Sequence, residues 1–154
     1  MEFEIKRDPD SDFELWILMN VIQEITHAVR EKELNRYDIS VRQSGILYTI
    51  FNQLDNNAKP ADIARFSRRG PNSISTILNR MERKGFINKN KDLRKKNAIR
   101  VSLTEKGKKA LEFANNRRSI HRIFAALSEE ELIQAHTLMA KLLDQAVKEL
   151  KTGG

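Results

Sequence analysis

Between Asn72 and Arg83 the chain sets short polar side chains and guanidinium groups at helical spacing: Asn72, Thr76, Asn79, Arg80 and Arg83, with Ser73 and Ser75 flanking. Amides, hydroxyls and guanidinium groups in such an array can hydrogen-bond to base edges and phosphate oxygens. Arg65, Arg68 and Arg69 precede this stretch, and Lys89 and the run Asp92-Leu93-Arg94-Lys95-Lys96-Asn97 follow it. From Arg65 to Lys109 there are 15 basic residues against three acidic ones (Glu82, Asp92, Glu105), a local charge of +12. The whole chain has 154 residues with 28 Lys+Arg and 21 Asp+Glu, a net +7, so everything outside that segment sums to −5. A cationic face kept for solubility would be spread more evenly. Concentration of all the excess charge in one segment is the footprint of a polyanion-binding surface, because each neutralised phosphate releases condensed counterions.

Other chemistries find less support. The absence of cysteine excludes disulfides, thiolate zinc sites, iron–sulfur clusters and thiol redox switches. His27, His121 and His136 fall on separate predicted helices without the spacing that puts two ligands on one face, so no metal is expected. No Ser-His-Asp ordering, phosphate-cradling glycine loop or paired carboxylates stand out; the chain reads as a non-enzyme without a cofactor. Trp16, His27, Tyr37, Tyr48 and Phe51 are the candidates for lining a pocket for a small apolar effector. Against that stands the ordinary role of aromatics at helical spacing, which is to fill a core. The longest apolar run, Leu15–Met19, falls far short of the ~20 residues of a membrane span. With the mixed-charge start Met1–Asp8, this leads us to expect a soluble, cytoplasmic chain with no membrane partner.

The elements that must hold the polar array can be read from periodicity. Ile74, Ile77, Leu78 and Met81 recur at i, i+3, i+4 and i+7, one buried stripe of a helix that Pro71 starts and Gly85 caps. A short helix over Pro60–Ser67 precedes it. Arg68-Arg69-Gly70 is the expected tight connector, with Gly70 free to take positive φ. The period then changes to two: Ile87, Lys89 and Lys91 alternate with Asn88 and Asn90, and Ile99, Val101 and Leu103 with Arg100 and Ser102. This is a β-hairpin with one packed face and a charged tip. A helix-turn-helix followed by a basic hairpin is a winged helix, which lays its second helix in the major groove.

Capping boxes at Ser11–Glu14, Ser40–Gln43 and Ser128–Glu131, and an N-cap at Thr104, mark further helix starts. The spacing predicts helices over 11 to about 34, from 40 to the turn Asp55-Asn56-Asn57, from 104 to about 127, and from 128 onward. Leu15, Leu18, Ile22, Ile25 and Val29 at one end, and Leu132, Met139, Leu142, Leu143 and Val147 at the other, form broad apolar stripes. One small domain does not consume that much apolar surface, so an intertwined homodimer is expected in preference to an intramolecular bundle. The fold class is mainly α with a small β-hairpin wing. Residues 40–104 form the winged helix-turn-helix lobe, and 11–36 and 108–150 are the dimerisation helices.

The stretch Arg80-Met81-Glu82-Arg83-Lys84-Gly85-Phe86-Ile87 and the later Val101-Ser102-Leu103-Thr104-Glu105-Lys106-Gly107 resemble the MarR family of bacterial transcriptional regulators. Length, flanking helices and wing position agree along essentially the whole chain. The resemblance implies a homodimer on a pseudo-palindromic site in double-stranded DNA, commonly a repressor released by a small, often phenolic, ligand. It also implies that Asp92-x-Arg94 is the wing signature, with Arg94 in the minor groove and Asp92 orienting it. Two departures are visible: Arg68-Arg69-Gly70-Pro71 is more basic and rigid than many family turns, and Lys95 stands where a second Arg is often seen. The lack of cysteine excludes the peroxide-sensing branch. On this reading Asn72, Ser73, Ser75, Thr76, Asn79 and Arg80 read bases, while Arg65, Arg68, Arg69, Lys89, Lys95 and Lys96 contact phosphates. The alternative is a winged helix used as a protein-interaction module, which would not need the concentrated +12.

Overall fold

The computed structural model describes residues 10–92 and 98–152, which divide into two compact units after Arg117. In the first unit, α1 (Ser11–Leu34) runs into a 3-10 turn at Asn35–Tyr37. Next come α2 (Val41–Tyr48), which continues as a π-helical turn over Thr49–Gln53, then α3 (Pro60–Phe66) and α4 (Pro71–Arg83). Strands β1 (Ile87–Asp92) and β2 (Ala98–Leu103) pair antiparallel, with Ile87 opposite Leu103 and Asp92 opposite Ala98; α5 (Glu105–Asn115) closes the unit. The second unit holds α6 (Arg118–Phe124) and α7 (Glu129–Thr152).

Local chemistry accounts for most of the boundaries. Ser40 makes the expected capping box with Gln43, and the Glu31 carboxylate adds a bond from the Val41 N–H at 2.7 Å. Ser128 and Glu131 bond reciprocally at 3.2 and 2.7 Å, and Thr104 accepts from the Gly107 N–H at 3.0 Å. Gly85 takes φ 76, and the Phe86 N–H closes back on the Met81 carbonyl at 3.0 Å, ending α4 as its sequence predicts.

Four expectations are corrected. The cap of α1 is Asp10, which accepts from the N–H groups of Asp12 and Phe13; its full charge at the helix N-terminus outcompetes the Ser11 hydroxyl. Gly70 has φ −64 and ψ 150, because the following Pro71 drives it to extended backbone; the left-handed residue of the turn is Arg68, φ 51. The single helix expected from 104 to 127 breaks at Asn116-Arg117, where Arg117 turns left-handed at φ 48 and the second unit begins. Ile99, expected on the packed face of the hairpin, is 44% exposed, since the core reaches only as far out along β2 as Val101.

The core is confined to the first unit. Among the described residues, every buried hydrophobic side chain lies between Leu34 and Ala114, including Ile46, Leu47, Ile50, Ile63, Ile74, Leu78, Met81, Phe86, Ile87, Val101 and Leu111. Only the last turn of α1 enters it. Val101 also exchanges backbone bonds of 2.9 and 2.8 Å with Ala58, a one-residue third strand that ties the base of the hairpin to the connector after α2. None of the described helices is long and apolar enough to cross a membrane.

Candidate nucleic-acid interface

Helix α4 buries Ile74, Leu78 and Met81 and half-buries Ile77, so the opposite face is forced outward. Asn72, Ser73, Ser75, Thr76, Asn79, Arg80 and Arg83 are all exposed on it, as the spacing requires. Arg65, Arg68 and Arg69 are exposed around the turn that leads into α4. Arg65 is partly engaged: its Nη2 lies 3.2 Å from the Asp62 carboxylate and its guanidinium lies over the Phe66 ring. The i, i+3 spacing of Asp62 and Arg65 could have signalled that pairing.

Two braces hold α4 in place. Lys84 Nζ donates to the backbone and carboxylate oxygens of Asp38, both at 2.8 Å, across to the loop before α2. That hydrogen bond holds the Asp38 carboxyl below the usual carboxylate range against the opposing effect of burial, with lesser help from the charges of Lys84 and Lys106. Lys106 donates to the Lys84 carbonyl at 2.7 Å and covers the Phe86 ring. The end of α4 is thus fixed from both the α2 and the α5 sides.

The hairpin supplies the third part. Lys89 Nζ bonds the side-chain oxygen of Asn79 and lies 3.2 Å from the Glu82 carboxylate, so this lysine contacts α4 itself. Asp92 pairs with Arg100 across the two strands, Nε to Oδ2 at 3.3 Å, at the outer end of the ladder. Arg94, Lys95 and Lys96 lie outside the described residues.

The five residues expected to line an effector pocket have different surroundings in a single copy of the chain. Trp16 stacks on Phe13 with ring centroids 5.7 Å apart, and Tyr37 stacks on Phe113 at 3.7 Å. Phe51 lines a concavity of about 390 Å³ with Asn52, Lys108, Leu111, Glu112, Asn115 and Asn116. His27 lines a different one, about 450 Å³, with Gln23, Arg42, Gly45, Thr49, Ser67 and Arg69 among its neighbours. Tyr48 is exposed. Sequence periodicity did not single out Arg42, which becomes part of the His27 concavity only when α2 and the α3–α4 turn come together.

Residues 39–96, from the start of α2 into the wing, match the model of the MarR family. Over that segment the chain is similar to the MarR family. The organohalide-sensing RdhR transcriptional regulator in its 2,4-dichlorophenol-bound form superimposes with a TM-score of 0.79 at 25% identity, over 94% of this chain and 88% of that one. The S. aureus MepR–DNA complex gives a TM-score of 0.73 at 24% identity, over 89% of this chain and 99% of the other. A mutant MarR from E. coli complexed with operator DNA gives 0.75 at 18%, over 89% and 99%. No curated protein sequence gives a significant match. The MarR-type winged-helix fold therefore extends beyond the matched segment to both flanking helical regions, and it is a transcription-regulator fold.

Proposed function

We propose that the protein is a homodimeric, sequence-specific DNA-binding regulator, acting as a repressor on a pseudo-palindromic operator and released by a small apolar or phenolic ligand. The observation that carries this is the outward face of α4: seven polar or cationic side chains on a helix of MarR type, inside a segment of charge +12. Asn72, Ser73, Ser75, Thr76, Asn79 and Arg80 address bases. Arg65, Arg68, Arg69, Lys95 and Lys96 address phosphates, and Arg94 reaches the minor groove, where concentrated negative potential favours arginine.

Dimerisation rests on what is left uncovered. Phe13, Leu15, Trp16, Leu18, Met19, Ile22, Ile25 and Val29 of α1 are 37–59% exposed. In α7, Leu132, Ile133, Leu138, Met139, Leu142, Leu143, Val147 and Leu150 are 37–84% exposed. Apolar stripes of this extent mark a partner surface, and in this proposal a second copy covers them through residues 11–36 and 108–150. Residues 40–104 of each copy then meet half-sites about one helical turn apart, ~10 bp. Ligand-bound RdhR supports an effector, which acts by favouring the spacing of the two lobes that fits the operator less well.

Selection of bound duplexes from a random library tests the proposal. A two-fold-symmetric motif with half-sites one turn apart is the expected result, with affinity falling steeply as salt rises. A monomer in dilute solution, or equal retention of all duplexes at moderate ionic strength, would refute it.

A further inference from the structure

We propose that Lys89 sets base specificity without touching DNA: by holding the side-chain oxygen of Asn79 it turns that amide's NH2 outward, making Asn79 a donor-only reader. The inference rests on the DNA-binding reading above and adds to it which base edge one position prefers.

The chemistry leaves little freedom. An ammonium only donates, so of the two ends of the Asn79 amide only the oxygen can face Lys89 Nζ. The same Nζ lies 3.2 Å from Glu82 Oε2, one helical turn further along α4. The lysine is therefore held at two points, and its side chain is only 18% exposed although it lies on a strand of a mostly solvated hairpin. Asn79 itself remains exposed, and what it presents beyond Lys89 is the NH2. The pairing has a second effect. Glu82 is the one acidic residue on α4, and the ammonium offsets a charge that would repel phosphates.

An unrestrained asparagine bonds adenine with both ends of its amide, NH2 to N7 and oxygen to N6. With the oxygen turned toward Lys89 it no longer faces the base alongside the NH2, and that fork is broken. The remaining donors are met best by guanine, which offers N7 and O6 together, and worst at cytosine, whose N4 is itself a donor. The position under Asn79 should therefore prefer guanine to adenine.

Random-library selection with the full-length protein and four variants tests this. Asn79→Ala identifies the base-pair position, as the one whose preference flattens. The parent should be guanine-rich there, and Lys89→Met, which frees the amide to rotate, should move the guanine-to-adenine ratio toward adenine by about ten-fold, the scale of one bidentate contact. Lys89→Arg keeps a donor opposite the oxygen and should retain guanine. Asn79→Asp keeps the pairing with Lys89 but points an acceptor outward, and should move the preference to cytosine. Should Lys89→Met fail to fold, the last two variants still carry the test. An adenine-rich position in the parent, a Lys89→Met profile identical to the parent's, or an Asn79→Ala profile with no position flattened overturns the assignment. Failure of the parent to retain any duplex overturns the DNA-binding reading itself, and the two failures look different.

Discussion

Placing a single methyl group at Gly107 should break the junction between the hairpin and α5. A Cβ built there would lie 2.0 Å from the Phe86 carbonyl oxygen, 3.0 Å from its carbon and 3.4 Å from Leu103 Cβ. The obstacle is backbone, and it is pinned: the Phe86 carbonyl accepts from the Thr104 N–H at 3.0 Å, and Phe86 and Ile87 are each 1% exposed. Relief requires a shift of about 1 Å in either the start of β1 or the first turn of α5. Overpacking of this kind costs about 1–3 kcal/mol, toward the upper end when backbone must move, while Gly→Ala within a helix returns at most about 1 kcal/mol. Gly107→Ala should therefore lower stability by about 2 kcal/mol, a fall of about 1 M in the urea midpoint at the usual slope for a protein of this size. Gly45 supplies the contrast. It sits within α2 with nothing within 4 Å of its Cβ position, so Gly45→Ala should raise stability by about 0.5–1 kcal/mol. Both unfolding curves should be measured at one protein concentration, since self-association of the kind proposed would be linked to stability. A Gly107→Ala protein as stable as its parent would refute the packing argument, whatever Gly45→Ala does.

Arg30 pairs with Glu33 at 2.7 Å and donates to the Ala114 carbonyl at 2.5 Å, with side chains only 12% and 7% exposed. Arg30→Met removes one charged partner of the buried Glu33 carboxylate and should cost about 1.5–3 kcal/mol by denaturation, the worth of hydrogen bonds to a charged group; an unchanged stability would mean the pair contributes nothing. Arg94→Ala should weaken specific binding by about 1–3 kcal/mol in a mobility-shift titration, and an unchanged affinity removes the wing from recognition. Lys95→Ala should instead lower the slope of log affinity against log salt by about one, with sequence preference retained; lost preference at an unchanged slope would reverse the two roles. The Asp38 carboxyl is held below its ordinary range in the folded state by Lys84, so this pairing stabilises the fold above an ordinary aspartate's pKa of about 3.9, and the effect fades as pH falls through the lower folded value. Lys84→Met should thus be less stable than its parent at pH 7, and the gap should narrow in acid below about pH 4, leaving the part owed to the bond with the Asp38 backbone carbonyl. A gap that stays constant down to pH 3 would exclude the pairing as its cause.

Much of the architecture was legible because its signals are local. The stripe Ile74, Ile77, Leu78 and Met81 determines both faces of α4, so its outward residues follow from spacing alone. The caps at Ser40, Thr104 and Ser128 and the left-handed Gly85 need only their neighbours. Where reading failed, two local signals competed. Asp10 and Ser11 are both good caps, and Gly70 lies between a turn that would suit its freedom and a proline that removes it. The break at Asn116-Arg117 sits in a stretch whose apolar periodicity continues on both sides, and periodicity does not report a change of direction. Phe51 and His27 line separate concavities of one copy, because residue type does not report which elements meet.

By itself the sequence determined where charge concentrates, which face of each helix turns inward, and that the two ends carry more apolar surface than one lobe absorbs, because these depend on residue order and repeat. Only the tertiary structure decided the roles of residues that act through a distant partner. Gly107 is required because the Phe86 carbonyl, 21 positions earlier, occupies the space a side chain would need. Lys89 has the appearance of one more phosphate contact until β1 folds against α4 and delivers its ammonium to Asn79 and Glu82. Such pairings are set by how elements pack, and no period along the chain encodes them.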